Sequence, residues 1–157
     1  MPIEPLKWEN ESLILLDQTS LPESLDYIKC HTVEDIANSI ENLVVRGAPA
    51  IGIAAAYGVV IGALETRRST REKLNKHLQY TISRLSKTRP TAINLFAALD
   101  YMRKILHMHP DAQNDNICQL LLDAAHNLFD QERNSCRSMG SIGSELLPEN
   151  ARVITYC

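Results

Sequence analysis

Arg46-Gly47-Ala48-Pro49-Ala50-Ile51-Gly52-Ile53-Ala54-Ala55-Ala56-Tyr57-Gly58-Val59-Val60-Ile61-Gly62-Ala63-Leu64 decides how this chain folds. No charged residue occurs from Gly47 to Leu64, and small residues fall on every side. A helix without a polar face is buried, and small side chains let neighbours approach its backbone. Pro49 belongs in the first turn, where its missing N–H costs nothing. The stretch therefore predicts a turn followed by a central helix from Ala50 to Leu64. It falls short of the roughly 20 residues of a membrane span, and it holds Pro49 and four glycines. No membrane partner is expected. Gly58 and Gly62 have GxxxG spacing, which in a soluble chain means close helix packing.

Outward from this helix, the apolar period separates two regions. Leu6-Lys7-Trp8 and Ser12-Leu13-Ile14-Leu15-Leu16, joined by Glu9-Asn10-Glu11, read as strands, with a third from Leu25 to Cys30. Asp17-Gln18 and Leu21-Pro22 form a loop, and a small antiparallel sheet is expected over 1–31. From Thr32 the period becomes helical: Val33, Ile36, Ala37, Ile40, Leu43 and Val44 share a face, and Thr32 with Asp35 resembles a capping box. Downstream, Ser69 with Glu72 predicts a second capping box before Leu74, Leu78, Ile82 and Leu85. Lys87-Thr88-Arg89-Pro90 breaks that helix. Thr91, as a cap, opens the next, to Leu106. A last helix runs from Ile117 to about Cys136, closed or interrupted by Met139-Gly140-Ser141-Ile142-Gly143. Ala151-Arg152-Val153-Ile154-Thr155-Tyr156-Cys157 reads as a strand without a partner in the helical region.

Composition bounds the function. The chain has 157 residues, 45% hydrophobic and 22% charged, with a formal net charge of −3. That suffices for one globular core and gives no sign of a general nucleic-acid binder. Cys30, Cys118, Cys136 and Cys157 form no CxxC pair, so reduced thiols are expected, with Cys118 and Cys136 in the core. The amino terminus lacks the pattern of a signal peptide. His31, His77, His107, His109 and His126 show no metal-ligand spacing and are assigned to structure or surface.

Three places could carry chemistry. Arg46-Gly47-Ala48-Pro49 sets a guanidinium beside a helix start, where free N–H groups and the helix dipole attract phosphate. Gly47 permits positive φ and close backbone approach. On spacing alone a plain helix start with a surface arginine is the better fit, since such turns are common. Arg89 precedes Pro90, so it is expected to be extended beside the next helix start; a solvated basic cluster is the alternative. Cys157, at a strand end, would point into the crevice where open α/β sheets bind ligands, unless it is a small hydrophobe at a frayed terminus.

Taken together, Val44-Val45-Arg46-Gly47-Ala48-Pro49-Ala50-Ile51-Gly52, Leu15-Leu16-Asp17-Gln18 with Leu21-Pro22, Thr88-Arg89-Pro90-Thr91-Ala92-Ile93-Asn94-Leu95, and Val153-Ile154-Thr155-Tyr156-Cys157 resemble the methylthioribose-1-phosphate isomerases of methionine salvage. The resemblance implies conversion of 5-methylthioribose 1-phosphate to 5-methylthioribulose 1-phosphate in the cytoplasm, without metal or organic cofactor. It implies substrate binding by Arg46, Gly47, Ala48 and Arg89, with Cys157 as the catalytic cysteine. Tyr156 stands where the family has histidine, and Ile142 where it often has histidine. The family's general-acid aspartate belongs to a carboxyl-terminal, Rossmann-like domain.

The resulting expectation is an α+β chain with a small sheet over 1–31 and a mainly helical domain over 32–147. Residues 148–157 would be the first strand of a Rossmann-like domain otherwise missing. Such a truncated chain is expected to be inactive alone, its partner being a second copy or another chain that carries the missing domain. A non-catalytic subunit like those of translation initiation factor 2B, a ribose-1,5-bisphosphate isomerase relative, and a decayed fragment are the alternatives.

Overall fold

A computed structural model describes residues 3–154. Strands β1 (Leu6–Glu9), β2 (Ser12–Leu16) and β3 (Tyr27–Cys30) form an antiparallel sheet in the order β1-β2-β3. Leu6 faces Leu15, and Leu13 faces both Trp8 and Cys30. Asn10 and Glu11, at φ 51° and 55°, make the tight β1–β2 turn, because two positive-φ residues match the twist of paired strands. Leu6, Leu13, Leu15 and Cys30 are buried.

Five helices follow: α1 (Val33–Glu41), α2 (Ala48–Thr66), α3 (Arg71–Ser86), α4 (Ile93–Met108) and α5 (Asn114–Leu146). The capping box of α1 is present: Asp35 N–H donates to Thr32 Oγ1 at 3.1 Å and Thr32 N–H to Asp35 Oδ2 at 2.9 Å. The second cap lies one residue later than the sequence predicts. Thr70, not Ser69, accepts from Lys73 N–H.

As the apolar stretch predicts, α2 is the axis of the core. Every residue from Ile51 to Ala63 is buried, and α1, α3, α4 and α5 all pack against it. By length and composition α2 could cross a membrane, yet most of it is buried inside the protein. Its glycines explain the close packing. A Cβ on Gly62 would lie 2.6 Å from Thr81 Oγ1 of α3, and one on Gly58 3.0 Å from Leu85 Cδ1. A Cβ on Gly52 would lie 2.7 Å from the Asn94 carbonyl oxygen of α4. Tyr57, with its ring stacked on Trp8 at 5.2 Å, is hydrogen-bonded through Oη to His126 Nδ1 at 2.7 Å. Buried Tyr57 with half-buried Trp8 and His126 thus ties sheet, α2 and α5.

Four local expectations are corrected. Thr91 does not cap α4; the cap position is Ala92, which offers no side-chain acceptor. The last helix does not stop near Cys136 or break at Gly140 and Gly143 but runs unbroken over 33 residues. A helical glycine costs only about 1 kcal/mol relative to alanine, which established neighbouring turns can absorb. Cys136 is consequently exposed, not core, and its Sγ donates to Glu132 Oε1 at 3.6 Å. Of the stretch read as a strand, Ala151 to Ile154 are in no strand, since among the described residues β1, β2 and β3 pair only among themselves, and 155–157 lie outside the described residues.

Candidate functional site

The Arg46 turn is built from both sides. Val45 is fully buried, and its N–H donates to Ser39 O at 3.3 Å. Gln18 N–H donates to Val44 O at 3.0 Å, and its side-chain Nε2–H to Arg46 O at 3.4 Å. The loop after β2 thereby holds the backbone on which Arg46 sits. The Arg46 side chain is exposed.

Gly47 then turns the chain into α2 at φ 92° and ψ 130°. A Cβ there would meet nothing within 4 Å, so the requirement for glycine is backbone conformation and not space. Gly47 has no side chain to cap the helix, and Pro49 has no N–H. The N–H groups of Ala48 and Ala50 precede the first bond of the ladder, Ile51 N–H to Gly47 O at 3.0 Å. They lie at the positive end of the longest buried helix of the core.

A second start lies beside it. Thr88 is buried, and its hydroxyl donates to Leu85 O at 2.7 Å, closing α3. Arg89 is half-buried and outside any helix, as expected for a residue before proline, and Ala92 N–H donates to Arg89 O at 3.0 Å. α4 starts uncapped after Ala92. The contact between Gly52 and the Asn94 carbonyl presses the first turns of α2 and α4 together. The two arginines singled out from sequence thus precede neighbouring helix starts that lack side-chain caps, as α5 does after Gln113, whereas Thr32 and Thr70 cap α1 and α3.

A groove of about 470 Å³ opens beside the Arg46 turn, with Gly47, Pro49 and Ile53 of α2 on one side and Phe129, Arg133 and Arg137 of α5 on the other. A smaller one of about 160 Å³ runs between α2 and α4 past Gly52 and Asn94. Pro49, Ile53 and Glu132 line both. Arg46 and Gly47 face the larger groove; Ala48 and Arg89 line neither. Arg89 joins the site only through the position of α4. The expected catalytic residue, Cys157, lies outside the described residues.

The sequence reading missed Glu132, Arg133 and Arg137. They follow Phe129 along α5, and their signal was the helical period continuing past Asp130. Arg133 pairs with Asp130 at 3.0 Å and lies 5.5 Å from the Phe129 ring centroid. Burial pushes the Cys30 and Cys118 thiols above their ordinary values. Neither thiol is poised as a nucleophile. Among the described residues no group of His, Cys, Asp and Glu could hold a metal ion. The arrangement can bind an anion through backbone N–H groups and guanidinium groups.

Known proteins share this sequence and fold. The methylthioribose-1-phosphate isomerase of Desulforamulus reducens is 44% identical over 150 residues, which is 96% of this chain and 43% of that protein. The protein of the same name from Pelotomaculum thermopropionicum is 40% identical over 156 residues, 99% of this chain and 43% of its own length. The crystal structure of 5-methylthioribose 1-phosphate isomerase from Pyrococcus horikoshii OT3 matches with a TM-score of 0.89 at 34% identity, over 92% of this chain and 41% of that one. The crystal structure of translation initiation factor eIF-2B, subunit delta, from A. fulgidus matches with a TM-score of 0.85 at 35% identity, over 95% and 43%. The chain spans less than half the length of these relatives. Residues 44–157 match the initiation factor 2 subunit family, and the chain belongs to that family.

Proposed function

We propose that this chain supplies the phosphate-holding part of a cytoplasmic aldose–ketose isomerase that converts 5-methylthioribose 1-phosphate to 5-methylthioribulose 1-phosphate. The observation that carries the reading is the Gly47 turn at φ 92°, which places Arg46 at the uncapped start of α2. A sugar phosphorylated at C1 has no free anomeric hydroxyl, so its ring cannot open by the ordinary route. The enzyme must hold the phosphate dianion still while the ring oxygen leaves and hydrogen moves between C1 and C2. In this reading Arg46, Arg89 and the N–H groups around Gly47 and Ala48 hold the dianion. Cys157 assists the hydrogen transfer, and a Rossmann-like domain following residue 148 supplies the acid that protonates the ring oxygen. These 157 residues alone then lack a complete site and do not turn over substrate.

Calorimetric titration of the purified chain with 5-methylthioribose 1-phosphate tests this. Saturable binding, weakened at least ten-fold in both Arg46→Ala and Arg89→Ala, is expected, with no ketose formed. Absence of binding sinks the phosphate-holding reading, and turnover by these residues alone sinks the division of labour.

The similarity to the initiation-factor subunit, with a TM-score of 0.85 against 0.89 for the isomerase, favours one second reading: a non-catalytic regulatory subunit. Such a chain would show no preference for 5-methylthioribose 1-phosphate over inorganic phosphate.

A further inference from the structure

We propose that the groove between α3 and α4 is a second anion site, distinct from the Arg46 turn, that takes the phosphoryl group of a small phosphorylated metabolite. α3 and α4 each pack along α2 but meet one another only briefly. Between them lies a groove of about 690 Å³, within the range of small-molecule sites. Arg71 lies at one end, Arg103 and His107 on the α4 side, and Asn75, Gln79 and Ser83 along α3; among the described residues no carboxylate lines it.

The fixed element is Arg71. Its Nη1–H donates to Ala112 O at 2.7 Å and its Nη2–H to His109 O at 3.1 Å. Both acceptors are neutral carbonyls, so the guanidinium is oriented without being neutralised. Among the described residues its buried Nε–H finds no acceptor. Arg84 on the same helix shows the contrast. Its guanidinium bonds the carboxylates of both Glu34 and Glu41, so its charge is spent on holding α3 to α1. A rigid arginine with uncancelled charge is the more effective anion ligand, because little freedom is lost on binding. Arg103 pairs with Asp100 three residues back on α4, but such exposed pairs are weak and readily exchanged. His107, exposed in the last turn of α4, offers an N–H donor in either charge state. Asn75, Gln79 and Ser83 can bond the hydroxyls of a sugar or alcohol carrying the phosphate.

The test is phosphate titration at constant ionic strength, followed by backbone amide NMR on the whole 157-residue chain, beside the variants Arg103→Glu with His107→Gln, and Arg46→Ala. The variant positions are exposed, so the fold is retained. Saturable shifts along α3 and the end of α4 are expected, unchanged in Arg46→Ala and at least ten-fold weaker in the Arg103/His107 variant. Shifts confined to residues 46–50 and 92–95 would overturn the proposal, as would shifts in the groove that the Arg103/His107 variant retains, or no saturable shift. A proposal resting on α3 and α4 fails independently of the isomerase reading, which rests on Arg46 and Arg89.

Discussion

Replacing Gly47 by alanine isolates backbone conformation from packing. A Cβ at Gly47 meets no atom within 4 Å, so no steric overlap with a neighbour can account for the effect. The cost arises because φ 92° is disfavoured once a Cβ is present; a residue held in such a region costs about 1–3 kcal/mol. The turn cannot easily relax. Val45 before it is fully buried and Gln18 bonds Arg46 O, while Pro49 after it fixes its own φ. In a domain of this size, about 1–3 kcal/mol lowers Tm by roughly 2–12 °C. At ψ 130° the turn lies outside the left-handed region in which asparagine is enriched, so asparagine should cost about as much as alanine, and β-branched valine more. Urea unfolding and calorimetry of the three variants, with phosphate titration of each, measure both consequences. If Gly47→Ala unfolds within about 0.5 kcal/mol of the parent, the turn is not conformationally constrained. A valine variant as stable as the glycine parent would refute the argument from φ.

Gly62→Ala should destabilise by about 1–3 kcal/mol, because its Cβ would lie 2.6 Å from Thr81 Oγ1. Thr81 Oγ1 is buried without a partner, so Thr81→Ala in that background should restore most of the loss; additive effects in a double-mutant cycle would show that the contact is not the cause. At Asp35, burial pushes the carboxyl up, but the N–H groups of His31 and Thr32 and the Thr32 hydroxyl outweigh it and hold it below 3.8. A depressed carboxyl contributes stability that is complete above its ordinary value and is lost as pH falls through the depressed one. Asp35→Asn should therefore flatten the acid limb of stability below about pH 4; an unchanged limb in urea titrations would assign it to other carboxylates.

The sheet, the start of α1 and α2 were legible because each rests on a local signal, whereas Leu43 and Val44, read on the α1 face, lie beyond its end at Glu41. Alternating Leu13 and Leu15, the Thr32/Asp35 pair, and an uncharged run ended by Pro49 specify their structure without distant partners. The failures share the opposite cause. Whether Ser69 or Thr70 caps α3 depends on which hydroxyl the packed helix presents to the ladder, and two adjacent candidates look alike in sequence. Gly140 and Gly143 suggested a stop that α5 passes through, since glycine weakens a helix without ending it. Cys136 was misplaced in the core because a lone cysteine is most often a small buried hydrophobe, whereas here it is exposed on α5. At the site, Arg46 and Gly47 could be found because the turn is contiguous. The meeting of α2 with α4, and the groove residues Glu132, Arg133 and Arg137, depend on how three helices lie across one another. Only the glycine at position 52 hinted at it.

The capping pattern connects these levels. α1 and α3 carry threonine caps, the ordinary solution for unpaired N–H groups, worth about 1 kcal/mol relative to alanine. α2 and α4 start at Gly47 and Ala92 and have no such cap. For Gly47 the sacrifice is only a few tenths of a kcal/mol relative to serine, but for Ala92 it is about 1 kcal/mol. A threonine lies immediately upstream of Ala92, so the hydroxyl is one residue out of register and not missing from the segment. Packing explains why the backbone starts where it does: the Asn94 carbonyl must sit against Gly52, and this fixes the first turn of α4 whatever residue precedes it. The same contact brings the α4 start beside the α2 start. Two sets of unclaimed donors, each following an arginine, are therefore a consequence of one glycine-to-backbone contact. Moving the α4 cap back to Thr91 would require giving that contact up.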